Sequence, residues 1–547
     1  MQLHPTRATF HIALAGAAMV AVGLAARVGP VVAWGGAVVL AVAIGRAAAL
    51  ATVTRLRSSG FEMVWNASRR VVRLARGGDI VLEAELRNRG VDDARGVALR
   101  AVTSSMLDVT VHPDSLDLPA GARIRVDVRV HAKRVGRWGV HGMALEVRGT
   151  PAGGEGLYEV PLMFANPFGV EVLPRALQAL IANPRGGRSR RAAEAGRPAS
   201  LAGDGDELRE LREHVPGDPF KKIAWKASAK RGQLVVREME RDERDVVWIV
   251  MDASVELWAG ALGKAPLDDG VDEVAALAAR HLTRGDHVGL VVTASRLRTW
   301  IAPASGAAHA VRLSAALASA ASMVDSDRCE LDEWEIAQRV AEHARPLDPR
   351  GLGDVPKGNL DQLAARSEQL RARAPFAPRL PYAKAAREQR LRHYLASFGI
   401  EVPPRLDGER EKADLAIATV LDKLSTEKQR PSIVHVWGPA PVKKENTTRA
   451  IRKLRGKRAV VRWTVPRFDG SIGVAPPDVV GGDDAGPIVE PANVSVAVDE
   501  AVRVRARAAR SRAERGLRQM GVRAQNIERR ASAVAPAPAP GPREGDA

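Results

Sequence analysis

The chain has one cysteine, Cys329, in 547 residues. A single thiol forms no internal disulfide and leaves Cys-based zinc or iron–sulfur clusters without ligands. Beside Glu330 and Asp332 it reads as incidental. Aromatic residues are also scarce, at 4% with three tyrosines, so Ala, Val and Leu must fill most of any core. A Walker-type Gly-rich loop is missing, which removes the usual phosphate cradle of a nucleotide hydrolase. Acidic residues number 64 against 82 basic ones, a formal net charge of +18. Such a balance raises nucleic acid as a partner. The arginines are scattered through every segment, however, and neither interleaved aromatics nor a reading motif accompanies them. No specific nucleic acid is expected; the surface reads as solvated and close to an acidic membrane face.

Long apolar runs are present, but only near the start. FHIALAGAAMVAVGLAA at 10–26 would cover about 25 Å as a helix, near the lower limit for spanning a bilayer. Arg27, Gly29 and Pro30 break it, and VVAWGGAVVLAVAIG at 31–45 returns at once. Arg7 would also suit the basic start of a signal peptide, but the second run argues against secretion. Positive charge is heavier after the second run, at Arg55, Arg57, Arg69 and Arg70, than in the turn. The positive-inside rule then predicts a two-pass hairpin over 1–57 in a bacterial inner membrane, with both ends and the bulk of the chain cytoplasmic and membrane lipid as one partner.

At this length two or three domains are expected. From 58 to 180 the apolar period is two. In RIRVDVRV at 123–130, Ile124, Val126, Val128 and Val130 share one face, the pattern of a half-buried strand. Short strands between Gly, Pro and Asp turns predict a β-sandwich-like module, with NPFG at 166–169 as a turn. Residues 181–206 read as a flexible connector. VVWIVMD at 246–252 and HVGLVVT at 287–293 are continuous apolar strands flanking a helix-spaced VDEVAALAARHL at 271–282. That order predicts a parallel α/β sheet. Its first half, with the segment before it, spans 207–329; a charged helical insert spans 330–430. The second half, at 431–530, contains strands near 432–438 and 459–465 and a late basic helix at 501–521. A Pro/Ala tail closes the chain at 531–547.

Two constellations carry chemistry. Asp252 and Ser254 alternate at the carboxyl end of a parallel strand, where open α/β sheets bind ligands, and Glu256 follows at the same spacing. Carboxylate plus hydroxyl is hard oxygen chemistry that suits Mg2+ or Mn2+. The second is LRELREHVPGDPFKKIAWKASAKRGQLVVREME at 208–240. In it Arg212, Glu213, Asp218, Lys226, Arg237 and Glu238 read as an ion-pair network shaping a docking surface. Pro216-Gly217 forms a turn that Asp218 braces, and Trp225 is expected to bury its ring against the sheet. No His with a paired carboxylate marks a catalytic dyad.

The 208–240 stretch resembles the signature of the bacterial domain-of-unknown-function 58 family, whose members are similar to von Willebrand factor A-like proteins. GRWGVHG at 136–142, NPFG, MDAS at 251–254, RGDHVGLVV at 284–292 and the paired membrane segments resemble the same family. The resemblance implies a von Willebrand factor A-like, Rossmann-like α/β domain and a MoxR-type AAA+ ATPase as partner. It also implies a D-x-S-x-S metal site completed by a distant Thr and Asp. This chain departs from that pattern. Glu256 stands where the second Ser belongs, Ser305 is the nearest substitute for the Thr, and Trp437-Gly438-Pro439 offers no Asp. The expectation is a degenerate site with weak Mg2+ or Mn2+ binding at best and no resident cofactor. Function is expected to lie in interaction, in assembly or maturation of complexes, rather than catalysis. The alternatives are a metal-dependent hydrolase using Asp252 and a nucleic-acid binder using the insert and C-terminal helix.

Overall fold

The structure, a computed structural model, describes residues 4–5, 7–59, 61–91, 93–149, 158–182, 197–260, 262–348, 359–406, 408–466 and 492–524. After a two-residue strand β1 (His4–Pro5), the chain forms α1 (Arg7–Ala25) and α2 (Gly29–Ser59), both long and apolar enough to cross a membrane. Their packing is inside-out relative to a soluble protein. Gly16, Gly23 and Gly35 face the partner helix, and a Cβ on Gly35 would lie 2.7 Å from the Gly16 carbonyl. Phe10, Leu14, Val22, Leu24, Trp34, Leu40 and Ile44 point outward, Trp34 with 70% of its surface free. Small residues inside and large apolar ones outside suit lipid as the surrounding solvent.

Strands β2 (Phe61–Trp65), β3 (Val71–Ala75), β4 (Asp79–Asn88), β5 (Ala94–Thr103), β6 (Leu107–His112), β7 (Ser115–Leu118), β8 (Arg123–Ala132), β9 (Gly136–Gly149) and β10 (Tyr158–Leu173) build the β module. One sheet runs β2-β4-β8-β6; the other runs β1-β10-β9-β5-β7, with β3 also on β10. Val126, Val128 and Val130 of β8 are buried while Arg125, Asp127 and Arg129 face water. Each such burial contributes roughly 1.5–3 kcal/mol. NPFG is not a turn. It lies inside β10 at a register shift between Ala165 and Phe168. There Asn166 donates to the Met63 carbonyl at 2.8 Å, and its own carbonyl accepts from the Trp65 indole at 2.7 Å.

A helix α3 (Arg175–Ala182) follows. The expected connector is shorter than its 181–206 span, because β11 (Arg197–Glu213) begins inside it; 183–196 and the tail at 531–547 lie outside the described residues. β11 pairs antiparallel with β12 (Val235–Glu243) as a two-stranded ribbon carrying a short helix α4 (Trp225–Arg231). The α/β unit comprises β13 (Val246–Asp252), α5 (Pro266–Thr283), β14 (His287–Thr293), β15 (Leu297–Ala304) and α6 (Ala307–Ala320). After them come α7 (Glu333–Leu347), α8 (Leu360–Leu370), α9 (Ala386–Phe398) and α10 (Arg410–Thr426). β16 (Ile433–Trp437), α11 (Lys444–Gly456), β17 (Val460–Thr464), α12 (Ala492–Gln519) and β18 (Arg523–Ala524) complete it. The sheet order is β15-β14-β13-β16-β17-β18, parallel except for the β14–β15 hairpin.

Both faces of β13 are covered, which is why its apolar run is continuous. Val247, Ile249 and Met251 join a core with α5, α6 and the β module; Trp248 and Val250 join another with α10, α11 and the end of α12. The end of the late helix docks through Leu517 and Met520, while Ala509 further back along it is exposed.

Candidate functional site

Neighbours lie on both sides of β13, so its carboxyl end is the switch point of the sheet. Asp252 sits there, fully buried. Its Oδ1 accepts from the Ser254 backbone N–H at 3.0 Å and from the Ser254 hydroxyl, closing a tight loop after the strand. Its Oδ2 accepts from Arg410 Nη1 at 2.6 Å, and the same nitrogen reaches Glu256 Oε1 at 3.0 Å. Arg410 Nε donates to Asp414 Oδ1 at 2.8 Å, one helical turn along α10. Asp414 Oδ2 in turn accepts the Val442 N–H at 2.7 Å. One guanidinium therefore gathers three carboxylates from the strand end, the turn after it and the next helix. Burial opposes the charge on Arg410, but Asp252 and Asp414 outweigh it and hold the pKa above its ordinary value.

These residues do not fit a divalent cation. The Asp252 oxygens are taken by Ser254 and Arg410, and Glu256 gives Oε1 to the same guanidinium, which fills the place between the carboxylates, while its Oε2 is buried without a hydrogen-bond partner. No group of three or more His, Cys, Asp or Glu residues able to hold a metal ion occurs among the described residues. Gly438 packs so closely over Asp252 that a Cβ there would lie 2.7 Å from the Asp252 Cβ, so the position following β16 has no room for a further side chain. Ser305 is nowhere near. β15 runs antiparallel and pairs Ala304 with Val288 at the start of β14, which puts Ser305 at the opposite end of the sheet. The residue in register with Asp252 is Thr293, buried, its hydroxyl on the Met251 carbonyl at 3.3 Å.

A second arginine fixes the loop. Arg328 is buried and donates to the carbonyls of Ala253 at 2.7 Å, Ala320 at 2.9 Å and Ser322 at 2.6 Å. Burial pushes its pKa down to about 10, against the attraction of Asp327 and Asp252. Neither arginine stands out in the sequence. Arg410 lies 158 residues from its partner Asp252, and its only local signal is an Arg-x-x-x-Asp spacing on a helix.

The 208–240 constellation forms a separate feature. Arg212 grips Asp218 with two hydrogen bonds of 2.8 and 2.6 Å, and Asp218 also accepts the Val215 N–H at 2.9 Å, bracing the Pro216-Gly217 turn. Gly217 has φ +109°, a conformation that favours glycine there. The Arg212 and Val215 bonds hold the Asp218 pKa at about 2. Glu213 takes an amide hydrogen bond from Gln233 at 3.1 Å, Glu238 lies within electrostatic reach of Arg212, and Arg237 and Lys226 are exposed. Trp225 does not bury its ring. It is 61% exposed at the start of α4, where Ile223, Ala224 and Ser228 take the side buried against Val235 and Val236. Phe220 is 76% exposed, and Val215 and Leu234 are exposed with it.

Residues 210–347 match the family model described as "Protein of unknown function DUF58", so the chain carries a DUF58 domain there. It takes in most of the ribbon and the α/β unit as far as α7. No curated protein matches the chain. Among solved structures, the cupredoxin domain of amoB from Nitrosocaldus yellowstonii is 10% identical, covering 20% of this chain and 84% of its own, with a TM-score of 0.15. The alpha-2-macroglobulin of Escherichia coli, from domain MG7 to the C-terminus, is 12% identical over 72% of this chain and 53% of its own, with a TM-score of 0.16. Likenesses this weak carry no argument.

Proposed function

We propose that this is a membrane-anchored interaction protein whose von Willebrand factor A-like α/β domain stands on the cytoplasmic face of a bacterial inner membrane. It works by binding rather than by catalysis. The observation that carries this reading is the ribbon face. From Pro219 to Leu234 the chain holds Lys221, Lys222, Lys226, Lys230 and Arg231 and no acidic residue, with Phe220 and Trp225 exposed among them. Exposed aromatic anchors ringed by like charges fit a partner with an apolar pocket and an acidic rim. The family resemblance supplies the class of partner, a MoxR-type AAA+ ATPase, and the task, assembly or maturation of protein complexes. The Arg212–Asp218 clamp holds the turn that presents Phe220. Asp252, with both oxygens engaged, is placed to order a loop rather than to activate water.

Binding of the detergent-solubilised full chain to a purified MoxR-type ATPase tests this. Phe220→Ala with Trp225→Ala is expected to weaken the complex at least tenfold, about 1.4 kcal/mol, without moving the melting temperature. Association should also slow as salt is raised. Unchanged affinity in the double variant removes the ribbon from the interface, and no binding by the intact protein removes the partner.

A further inference from the structure

A cavity of about 440 Å3 lies where the β module, the α/β unit and the loops around α9 meet. The volume is within the range of small-molecule sites, about 300–1,000 Å3. Met106 and Trp138 come from the β module, Trp258 and Met323 from the α/β unit, and together they give it an apolar wall. Arg137, Arg296, Arg298, Arg339 and Arg379 also line it, against two acidic residues, Asp325 and Glu401.

Arg137 pairs with Glu171 at 3.2 Å, Arg296 with Asp327 at 3.1 Å and Arg298 with Asp325, whereas Arg339 and Arg379 have no carboxylate partner among the described residues. Arg298 keeps only 11% of its side chain exposed; it pairs with Asp325 through Nη2, and its buried Nη1 lies 3.7 Å from Asp327 Oδ1 without a hydrogen-bond acceptor. Burial, then the neighbouring Arg328, presses its pKa down against the attraction of Asp327. The Glu401 carboxylate accepts from the Ser105 hydroxyl and the Met106 N–H. Burial raises its pKa above the usual carboxylate range, against the Ser105 and Met106 hydrogen bonds. Arg339 is exposed and gives Nη1 to the Glu401 carbonyl at 2.7 Å.

We propose that this cavity binds a small water-soluble anion, a carboxylate or phosphate monoester carried on an apolar or aromatic body. Guanidinium forks match either anion in bidentate fashion, and the wall of Met106, Trp138, Trp258 and Met323 is apolar contact surface for a ring. Because its walls come from three parts of the chain, an occupant fastens the β module and the α9 loops to the α/β unit. This site is separate from the ribbon face, so it stands whether or not a partner docks there.

Calorimetry on the full chain in nanodiscs, with empty nanodiscs subtracted, tests it with phenyl phosphate and benzoate; inorganic phosphate and phenol are the half-ligand controls. One saturable site is expected for at least one aromatic anion, at least tenfold tighter than for either control. Preference between the two assigns phosphate or carboxylate. Arg339→Glu with Arg379→Glu, both exposed, is expected to weaken binding at least tenfold at unchanged melting temperature, and Arg298→Met to abolish it. If Arg298→Met fails to fold, the charge-reversal pair decides. No saturable heat from either aromatic anion into the millimolar range overturns the proposal, as does affinity indifferent to the charge reversal.

Discussion

Arg410 places a fixed cation among Asp252, Glu256 and Asp414, and a guanidinium differs from a metal ion in two ways that matter here. It is planar and directional, so it aligns α10 against the end of β13, and it cannot be removed by a chelator. Replacing it with Met leaves buried carboxylates facing each other without a counter-charge, a change that costs about 3–5 kcal/mol when one partner of a buried pair is lost. Arg410→Met should therefore melt well below the native chain, and Mn2+ should raise the melting temperature of that variant while leaving the native protein unmoved. Adding Asp252→Asn to Arg410→Met should recover part of the loss and abolish the Mn2+ effect. Micromolar Mn2+ uptake by the native chain, abolished by Asp252→Ala, would show instead that the arginine yields the site to a metal. Asp252 and Ser254 were legible in the sequence because strand and ligand spacing are local. Arg410 was not, since nothing local says which of 82 basic residues folds back onto them. Trp225 misleads for the converse reason: nothing local says that Ile223, Ala224 and Ser228, rather than the larger ring, take the side buried on the ribbon.

Elements read more easily than their partners. The period-two strands of the β module and the continuous runs of β13 and β14 follow from which faces are covered, and that is written in the alternation. The stripe of Leu391, Tyr394, Leu395 and Phe398 in α9 is helical in spacing, but its partner could not be read. It packs on β9 and α7, where His141 and His343 meet edge to face at 5.1 Å and His343 Nδ1 lies 2.9 Å from the Tyr394 hydroxyl. Burial drives His141 down to about 4; burial, then the neighbouring His141, drives His343 down to about 3. Both are neutral in the fold at pH 7, as they are for the most part in the unfolded chain. Below the ordinary histidine pKa of about 6.5 and down to those values, the unfolded chain binds protons that the fold does not. Stability therefore falls as the pH falls, by about 1.4 kcal/mol per pH unit for each such proton. Melting temperatures from pH 7 to pH 4 should decline, and His343→Phe should flatten the decline. A slope unaffected by His343→Phe would assign the acid sensitivity to other groups, such as His435, which burial also holds at about 3.

On the scale of the whole molecule, the membrane pair and the soluble parts obey opposite packing rules. Two apolar helices with large side chains outward should keep the native protein in the membrane fraction through carbonate extraction; release as a cleaved soluble species would contradict that. The soluble parts, by contrast, are less separable than a reading by domains implies. One apolar core runs from Val128 and Val170 of the β module through Val271 and Leu290 of the α/β unit to Phe398 of the expected insert. Arg134, after β8, is buried with Asp268 at the start of α5, joined at 2.7 and 2.8 Å, and its guanidinium lies 4.0 Å over the Trp258 ring. Asp268 also takes the Ala265 N–H at 3.0 Å, so the ion pair and the helix start share one carboxylate. Arg76 reinforces the joint, reaching Asp272 at 2.5 Å and the Asp268 carbonyl at 2.8 Å. Arg134→Met should cost about 3–5 kcal/mol, because Asp268 is left buried and unpaired. Arg134→Met with Asp268→Leu should cost less than the single change. If core and ion pair couple the modules, the soluble part of the native protein should melt in one transition and Arg134→Met should lower it as a whole. Two transitions, with only one shifted by Arg134→Met, would mean that the β module and the α/β unit fold independently and merely touch.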